Sequence, residues 1–215
     1  MPVSFARDLH MQGKALKTGI PAQPVSFRYP SELRLKGDTT ECLSKTFQTN
    51  DVEASLSLIP YRTSYDGRVS KVLVGSDPTR ELSMLESTNT NVASWGNLPI
   101  LIYYRPLSEK FAILDKDALK IIEQTVLIDG HRCVRISDGN CRVCLDRDRK
   151  LIPIAFQHFR RNGDVTLDAT IEYTPHGTLH FAPKHFVVKR YLEPSKPAET
   201  ITGDIVETHW GQSAH

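Results

Sequence analysis

From 164 to 173 the chain alternates strictly between polar and apolar residues. Val165, Leu167, Ala169, Ile171 and Tyr173 share one parity, and Asp164, Thr166, Asp168, Thr170 and Glu172 share the other. A helix would scatter this pattern around its circumference, whereas a strand places the five apolar side chains on one face. A strand dry on one side and wet on the other belongs to an antiparallel sheet. Parallel strands are covered on both faces and read as solid apolar runs. Asn162-Gly163, just before this segment, is a hairpin turn signal.

The same reading divides the rest of the chain. Asp66-Gly67, Asp129-Gly130 and Asp138-Gly139 are further hairpin dipeptides, and 146–149 and 175–177 are turn candidates. Strand-length apolar runs lie at 27–35, 54–59, 69–74, 118–128, 131–136, 141–145, 152–159 and 185–191, and 1–17 and 201–210 read as terminal strands. They follow one another without crossover helices. This predicts an antiparallel meander of at least about eight strands, with under about a fifth of the chain helical.

Helix signals are few. Asn97 as a cap, Pro99 early and Pro106 beyond the end predict a helix over 97–105. A second short helix is expected over 77–85, with Ser76 or Asp77 as cap and Pro78 in its first turn. Segment 86–96 is polar and reads as a loop around Trp95. Pro194 to Pro197 is the one linker-like break, so a single β domain is expected over 1–210, with 211–215 a disordered tail.

A two-residue turn at Asp138-Gly139 would pair 137 with 140, and hence 136 with 141, 134 with 143 and 133 with 144. Val134, Ile136, Cys141, Val143 and Leu145 then share an apolar face, which joins Val165, Leu167 and Ile171 in one core. Cys133 and Cys144 would lie opposite each other beside Arg135 and Arg142, at the ~4.5–5.5 Å of cross-strand partners. That is near disulfide range, but the site is of the hydrogen-bonded kind, where the Cβ vectors suit a bridge less well. Bridged and reduced thiols both stay open.

Composition narrows the function classes. The 215 residues carry a net charge of +2 with 24% charged residues, which is neither a nucleic-acid-binding excess nor an acidic tail. The basic clusters at 147–150 and 160–161 read as solvated turns. No stretch approaches the ~18–20 apolar residues of a membrane-spanning helix. The first residues lack the basic-then-apolar layout of a signal peptide, which by itself leaves a cytoplasmic location open.

Chemical motifs are sparse. Cys141 and Cys144 have metal-ligand spacing, but a strand points i and i+3 to opposite faces and no second pair completes a site. Among the eight histidines, His176, His180 and His185 flank Gly177 and Pro183 rather than sitting on a helix. Asp146 and Asp148 sit among Arg147, Arg149 and Lys150, as in a salt-bridged turn. There is no Gly-rich phosphate loop and no Gly-x-Ser-x-Gly elbow. The expectation is a protein that is not an enzyme, with no cofactor, no bound metal and no nucleic-acid partner.

Several segments resemble, in order, those of one family. Phe27-Arg-Tyr-Pro-Ser-Glu-Leu-Arg-Leu35 looks like the second-strand signature of the LolA-like lipoprotein carriers, where a proline precedes a strand with a central arginine. Tyr65-Asp-Gly-Arg68 resembles the hairpin that follows there, and Asn97-Leu-Pro-Ile-Leu-Ile102 the short helix after it. Leu145-Asp146 through Ala182-Pro-Lys184 resembles the closing hairpins of more distant lipoprotein-sorting members. The resemblance implies a mainly β fold, a strongly curved antiparallel sheet forming an incomplete barrel, lidded by one or two short helices. It also implies a non-enzymatic carrier in the periplasm or cell envelope, binding a hydrophobic ligand or acylated peptide in the concave face, with an envelope protein as a further partner. Ile100, Leu101, Tyr103, Tyr104 and Trp95 are then the candidate lid and interior residues. The alternative is a structural or protein-interaction module on the same fold with a filled interior. Two features depart from the family. Its lid-latching arginine immediately precedes the proline, where this chain has Tyr29 before Pro30 and Arg28 on the other face. Its amphipathic N-terminal helix is replaced by the strand pattern of 1–17.

Overall fold

The computed structural model describes residues 2–17, 20–37, 39–50, 55–66, 69–77, 79, 82–85, 95–104, 113–177, 180–194 and 196–210. At 14–17, 20–23, 25, 46–50, 55–58, 82–85, 95, 180 and 210 it describes the backbone alone. Among these residues there are thirteen strands: β1 (Val3–Lys17), β2 (Ile20–Lys36), β3 (Thr39–Asn50), β4 (Ser55–Tyr65), β5 (Val69–Val74), β6 (Leu82–Leu85), β7 (Lys120–Ile128), β8 (His131–Ser137), β9 (Cys141–Asp146), β10 (Ile152–Phe159), β11 (Val165–His176), β12 (His180–Glu193) and β13 (Lys196–Trp210). One helix, α1 (Leu98–Tyr104), is entered through a 3-10 turn at Trp95–Asn97. The fold is therefore mainly β, as the alternation predicts.

The strands form one open sheet in the order β6-β5-β4-β3-β2-β1-β13-β12-β11-β10-β9-β8-β7. Chain neighbours are sheet neighbours except at β6 and β7, which flank α1 in sequence and form the two edges. The chain divides into two compact units. The first comprises Met1–Leu9, Arg28–Asn97 and Ile205–His215, and the second His10–Phe27 and Leu98–Asp204.

In the second unit the registers align one apolar row. Ile136 faces Val143, Val143 faces Phe156, Phe156 faces Ala169, Ala169 faces Val188 and Val188 faces Ile201. Val143, Phe156, Ala169, Val188 and Ile201 are buried, as are Leu167 and Ile171 on either side of Ala169. Val134, Ile136, Leu145 and Val165 are half-buried on the same face. The expected shared face is thus present.

Three local expectations are corrected. Ser137 pairs with Arg142, not 137 with 140, so the β8–β9 hairpin is wider by two residues. Side chains cause this. Asp138 Oδ1 accepts the N–H groups of Asn140 at 2.9 Å and Cys141 at 2.7 Å, and Ser137 Oγ donates to the Cys141 carbonyl at 2.6 Å. These bonds stabilise a longer loop than the dipeptide alone suggests. A shift of two preserves face parity, which is why the apolar face survives. Cys133 now faces Asp146 and Cys144 faces Arg135, and all four cysteines are buried with free thiols.

No α-helix is present among the described residues of 77–85, where Thr79 is in a 3-10 conformation. Leu82–Leu85 is β6, paired with Val69–Val72. Asp77 caps only a local turn, accepting from the backbone N–H and hydroxyl of Thr79. A short helix must meet its nucleation cost alone, whereas β6 adds to an existing edge. The break at Pro194 to Pro197 is likewise no linker: Glu193 pairs with Lys196 across a hairpin, and Pro197 belongs to β13.

The β9–β10 turn carries strain. Lys150 and Leu151 have φ of 59° and 61°, in the left-handed region where a Cβ crowds the backbone. The Ile152 N–H closes the turn on the Arg149 carbonyl at 3.3 Å. Asn-Gly suits such a turn. Replacing Lys150→Asn together with Leu151→Gly is expected to raise stability by about 1–2 kcal/mol, read as a higher midpoint in thermal denaturation. An unchanged or lower midpoint would contradict the strain.

Candidate functional site

Helix α1 lies where the sequence predicts it, with Pro99 early in it, but Asn97 belongs to the preceding 3-10 turn and its Oδ1 accepts from Arg7 and Cys42 rather than capping the helix. Leu98, Pro99, Ile100, Leu101 and Ile102 are all buried, with Ile100 fully inaccessible. Within the second unit α1 packs on β10, β11 and β12. Beside its C-terminal end, Tyr103 packs on a cluster of Cys133, Cys144, Ile152 and Ile154, edged by Tyr173 and Phe181. The Tyr103 hydroxyl donates to the Phe181 carbonyl at 2.8 Å, and Tyr173 donates to the Pro153 carbonyl at 2.6 Å. The Tyr104 ring meets Tyr103 edge-on at 4.5 Å. Burial raises the pKa of all three phenols, so they stay neutral, and Tyr103 and Tyr173 keep their donor protons. Of the candidate residues, Ile100, Leu101, Tyr103 and Tyr104 therefore come together. Trp95 begins the 3-10 turn, and its side chain lies outside the described residues.

The first unit holds a group that sequence reasoning missed. On β1, Val3, Phe5, Arg7 and Leu9 point inward, so an arginine occupies an apolar phase. Arg7 is only 2% exposed. Its Nη1 donates to the Gly96 carbonyl at 2.9 Å and to Asn97 Oδ1 at 2.8 Å. Its Nη2 donates to Ser31 Oγ at 2.7 Å and meets Cys42 Sγ at 3.5 Å. Among the described residues no carboxylate bonds it. Burial pulls the guanidinium below its ordinary pKa, opposed by Cys42 and Tyr29. Arg7 Nε, Asn97 Nδ2 and Thr63 Oγ1 are buried without a described partner. Thr63 stands directly across from Cys42 in the β3–β4 pairing. The available signal was a charged residue in the apolar register of β1.

A pocket of about 380 Å³ opens in the same unit, with Val3, Leu35, Thr40 and Tyr65 in its wall and Lys36 and Asp66 also lining it. Arg34, also lining it, is held by Glu32 and Glu41.

The acidic turn is structural, as its sequence suggests. Asp146 is fully buried, 3.1 Å from His131 Nδ1 and 3.3 Å from Arg149 Nε, and accepts the Asp148 N–H. Asp148 forms a two-point pair with Arg132. The nearby thiols are poor nucleophiles. Burial, then Cys144 and Asp146, push Cys133 up to about 11, and burial followed by Asp138 pushes Cys141 up to about 12.

No protein-family model matches the chain, and no curated protein matches its sequence. Solved structures match its fold. A domain described as outer membrane lipoprotein-sorting, from Vibrio parahaemolyticus, superposes with a TM-score of 0.56 at 8% identity, covering 100% of this chain and 87% of that one. A LolA superfamily protein from Nitrosomonas europaea superposes with a TM-score of 0.57 at 11% identity, covering 98% and 87%. The fold is LolA-like. At these identities the likeness concerns backbone architecture. In this LolA-like chain Tyr29 is buried while Arg28 is exposed. The buried arginine is Arg7 on β1, separated from α1 by five strands in the chain.

Proposed function

We propose that this chain is a non-enzymatic, lipoprotein-carrier-like module of the cell envelope, which binds a hydrophobic ligand or acylated peptide beneath α1. The observation that carries this reading is the five consecutive buried residues, Leu98 to Ile102, in a helix of seven. A helix apolar on every face is either permanent core or covers something removable. One of this length has no stability of its own and holds its place by packing alone. Displacing it would uncover Ile152, Ile154 and Phe181. The LolA-like fold supports the same reading.

The test is binding of a neutral long-chain alcohol or Nile red to the full chain. Saturable, roughly micromolar affinity is expected. Ile100→Asp or Leu101→Asp should weaken it about tenfold or more while circular dichroism still reports a folded sheet. Absence of saturable binding by the folded wild-type protein would remove the carrier reading.

A second reading, an interaction module with a filled interior, is favoured by β7. This edge strand exposes Ile121 at 62% and Leu127 at 69%. Apolar residues on a sheet edge suit a partner that adds a strand.

A further inference from the structure

We infer that the first unit contains a carboxylate-binding site, with Arg7 at its base and the 380 Å³ pocket at its mouth, which takes a medium-chain carboxylic acid. This site is separate from the α1 reading and does not depend on it.

The geometry begins with strand periodicity. Residues two apart on a strand share a face and stand ~7 Å apart. Thr40 and Tyr65 line the pocket, and Cys42 and Thr63 lie one such step along β3 and β4. On β1, Val3 lines the pocket, Phe5 follows and Arg7 comes next. On β2 the inward series is Leu35, Leu33 and Ser31. The polar group around Arg7 therefore lies on the same face of the same four strands as the pocket, separated from it by the fully buried Phe5 and Leu33.

The chemistry points to a carboxylate. Arg7 carries a full charge, is 2% exposed, and has only neutral or thiol partners among the described residues. A buried cation without a counter-charge is costly, and a ligand that supplies the charge recovers that cost. The guanidinium is also divided in use. Nη1 is committed to Gly96 and Asn97, while the opposite edge presents Nε, which has no described acceptor, and Nη2, which has the Ser31 hydroxyl and Cys42. That Nε/Nη2 edge is the fork that receives a carboxylate through two parallel bonds. Thr63 Oγ1 and Asn97 Nδ2 are further donors without a described partner in the same cluster. The carboxylate takes this edge by displacing the long Cys42 contact from Nη2, and the alkyl chain parts the buried Phe5 and Leu33 side chains to reach the pocket between Val3, Leu35 and Tyr65. Binding forms no covalent bond.

The test compares octanoate with octanamide, its neutral counterpart, by titration calorimetry on the full chain at neutral pH. Octanoate should bind saturably and about tenfold or more tighter than octanamide, the ratio expected when hydrogen bonds to a charged group replace neutral ones. In Arg7→Gln that preference should fall below about threefold. A wild-type readout guards against a variant that fails to fold. The carboxyl carbon of 13C-labelled octanoate, followed by NMR across pH, should titrate lower when bound than when free, because the guanidinium favours the ionised form. Equal binding of the two compounds, no binding of octanoate, an unchanged preference in folded Arg7→Gln, or an unshifted bound carboxyl would each overturn the inference. Saturable binding of a long-chain alcohol with no preference for octanoate overturns this site while leaving the α1 reading intact.

Discussion

Leu167→Ala is expected to lower stability by about 2–5 kcal/mol, while Thr166→Ala, one residue earlier, should cost less than about 1 kcal/mol. The difference rests on face. Leu167 is 2% exposed and lies beside the row that runs through Val143, Phe156, Ala169 and Val188. Its cross-strand partners are His158 and Arg190, and truncation costs the lost transfer energy plus whatever cavity these neighbours do not fill. Thr166 points the other way, where its hydroxyl donates to the His158 carbonyl at 3.1 Å beside solvent. Water replaces that bond. Urea denaturation of the two variants measures the difference, and equal losses would mean that the β11 faces are reversed.

Arg7→Ala should cost about 3–5 kcal/mol, and Arg7→Met about half as much. Alanine leaves a large void and strips the Nη1 donor from the Gly96 carbonyl and from Asn97 Oδ1, which keeps only the weak Cys42 thiol at 3.5 Å. Methionine strips the same donor and, like alanine, removes the buried charge, but it refills the volume. Ser31 is partly protected, since its hydroxyl also donates to the Leu43 carbonyl at 3.0 Å. Chemical denaturation separates the variants. If alanine and methionine cost the same small amount, the guanidinium is not holding the segment that enters α1.

Much of the second unit is legible along the chain. Strict alternation at 164–173 assigns β11 and its buried face, because a period of two has one geometric solution. Asp129-Gly130 forms the predicted tight turn, with φ of 47° and 82°. Pro99 marks the start of α1, since a fixed proline φ acts locally, whereas the cap expected at Asn97 is not made: its Oδ1 accepts from Arg7 and Cys42 instead. The burial of Ile100 and Leu101 follows from a helix too apolar for any solvent face.

What the chain alone misplaces depends on partners distant in sequence or on side chains competing with the backbone. The β8–β9 register is two residues from its expected place because Ser137 and Asp138 bond the loop backbone. Leu82–Leu85 is a strand because β5 offers it an edge. The pairing of β1 with β13, which joins the two ends of the chain in mid-sheet, has no local signal. The Arg7 cluster is the clearest case, gathering Ser31, Cys42 and Asn97 from positions 24 to 90 residues away. Local sequence determined which side chains face inward, since periodicity is a property of each strand alone. Only the tertiary structure decided that one of those inward side chains is a charged group set among neutral partners, because that depends on which strands are brought together.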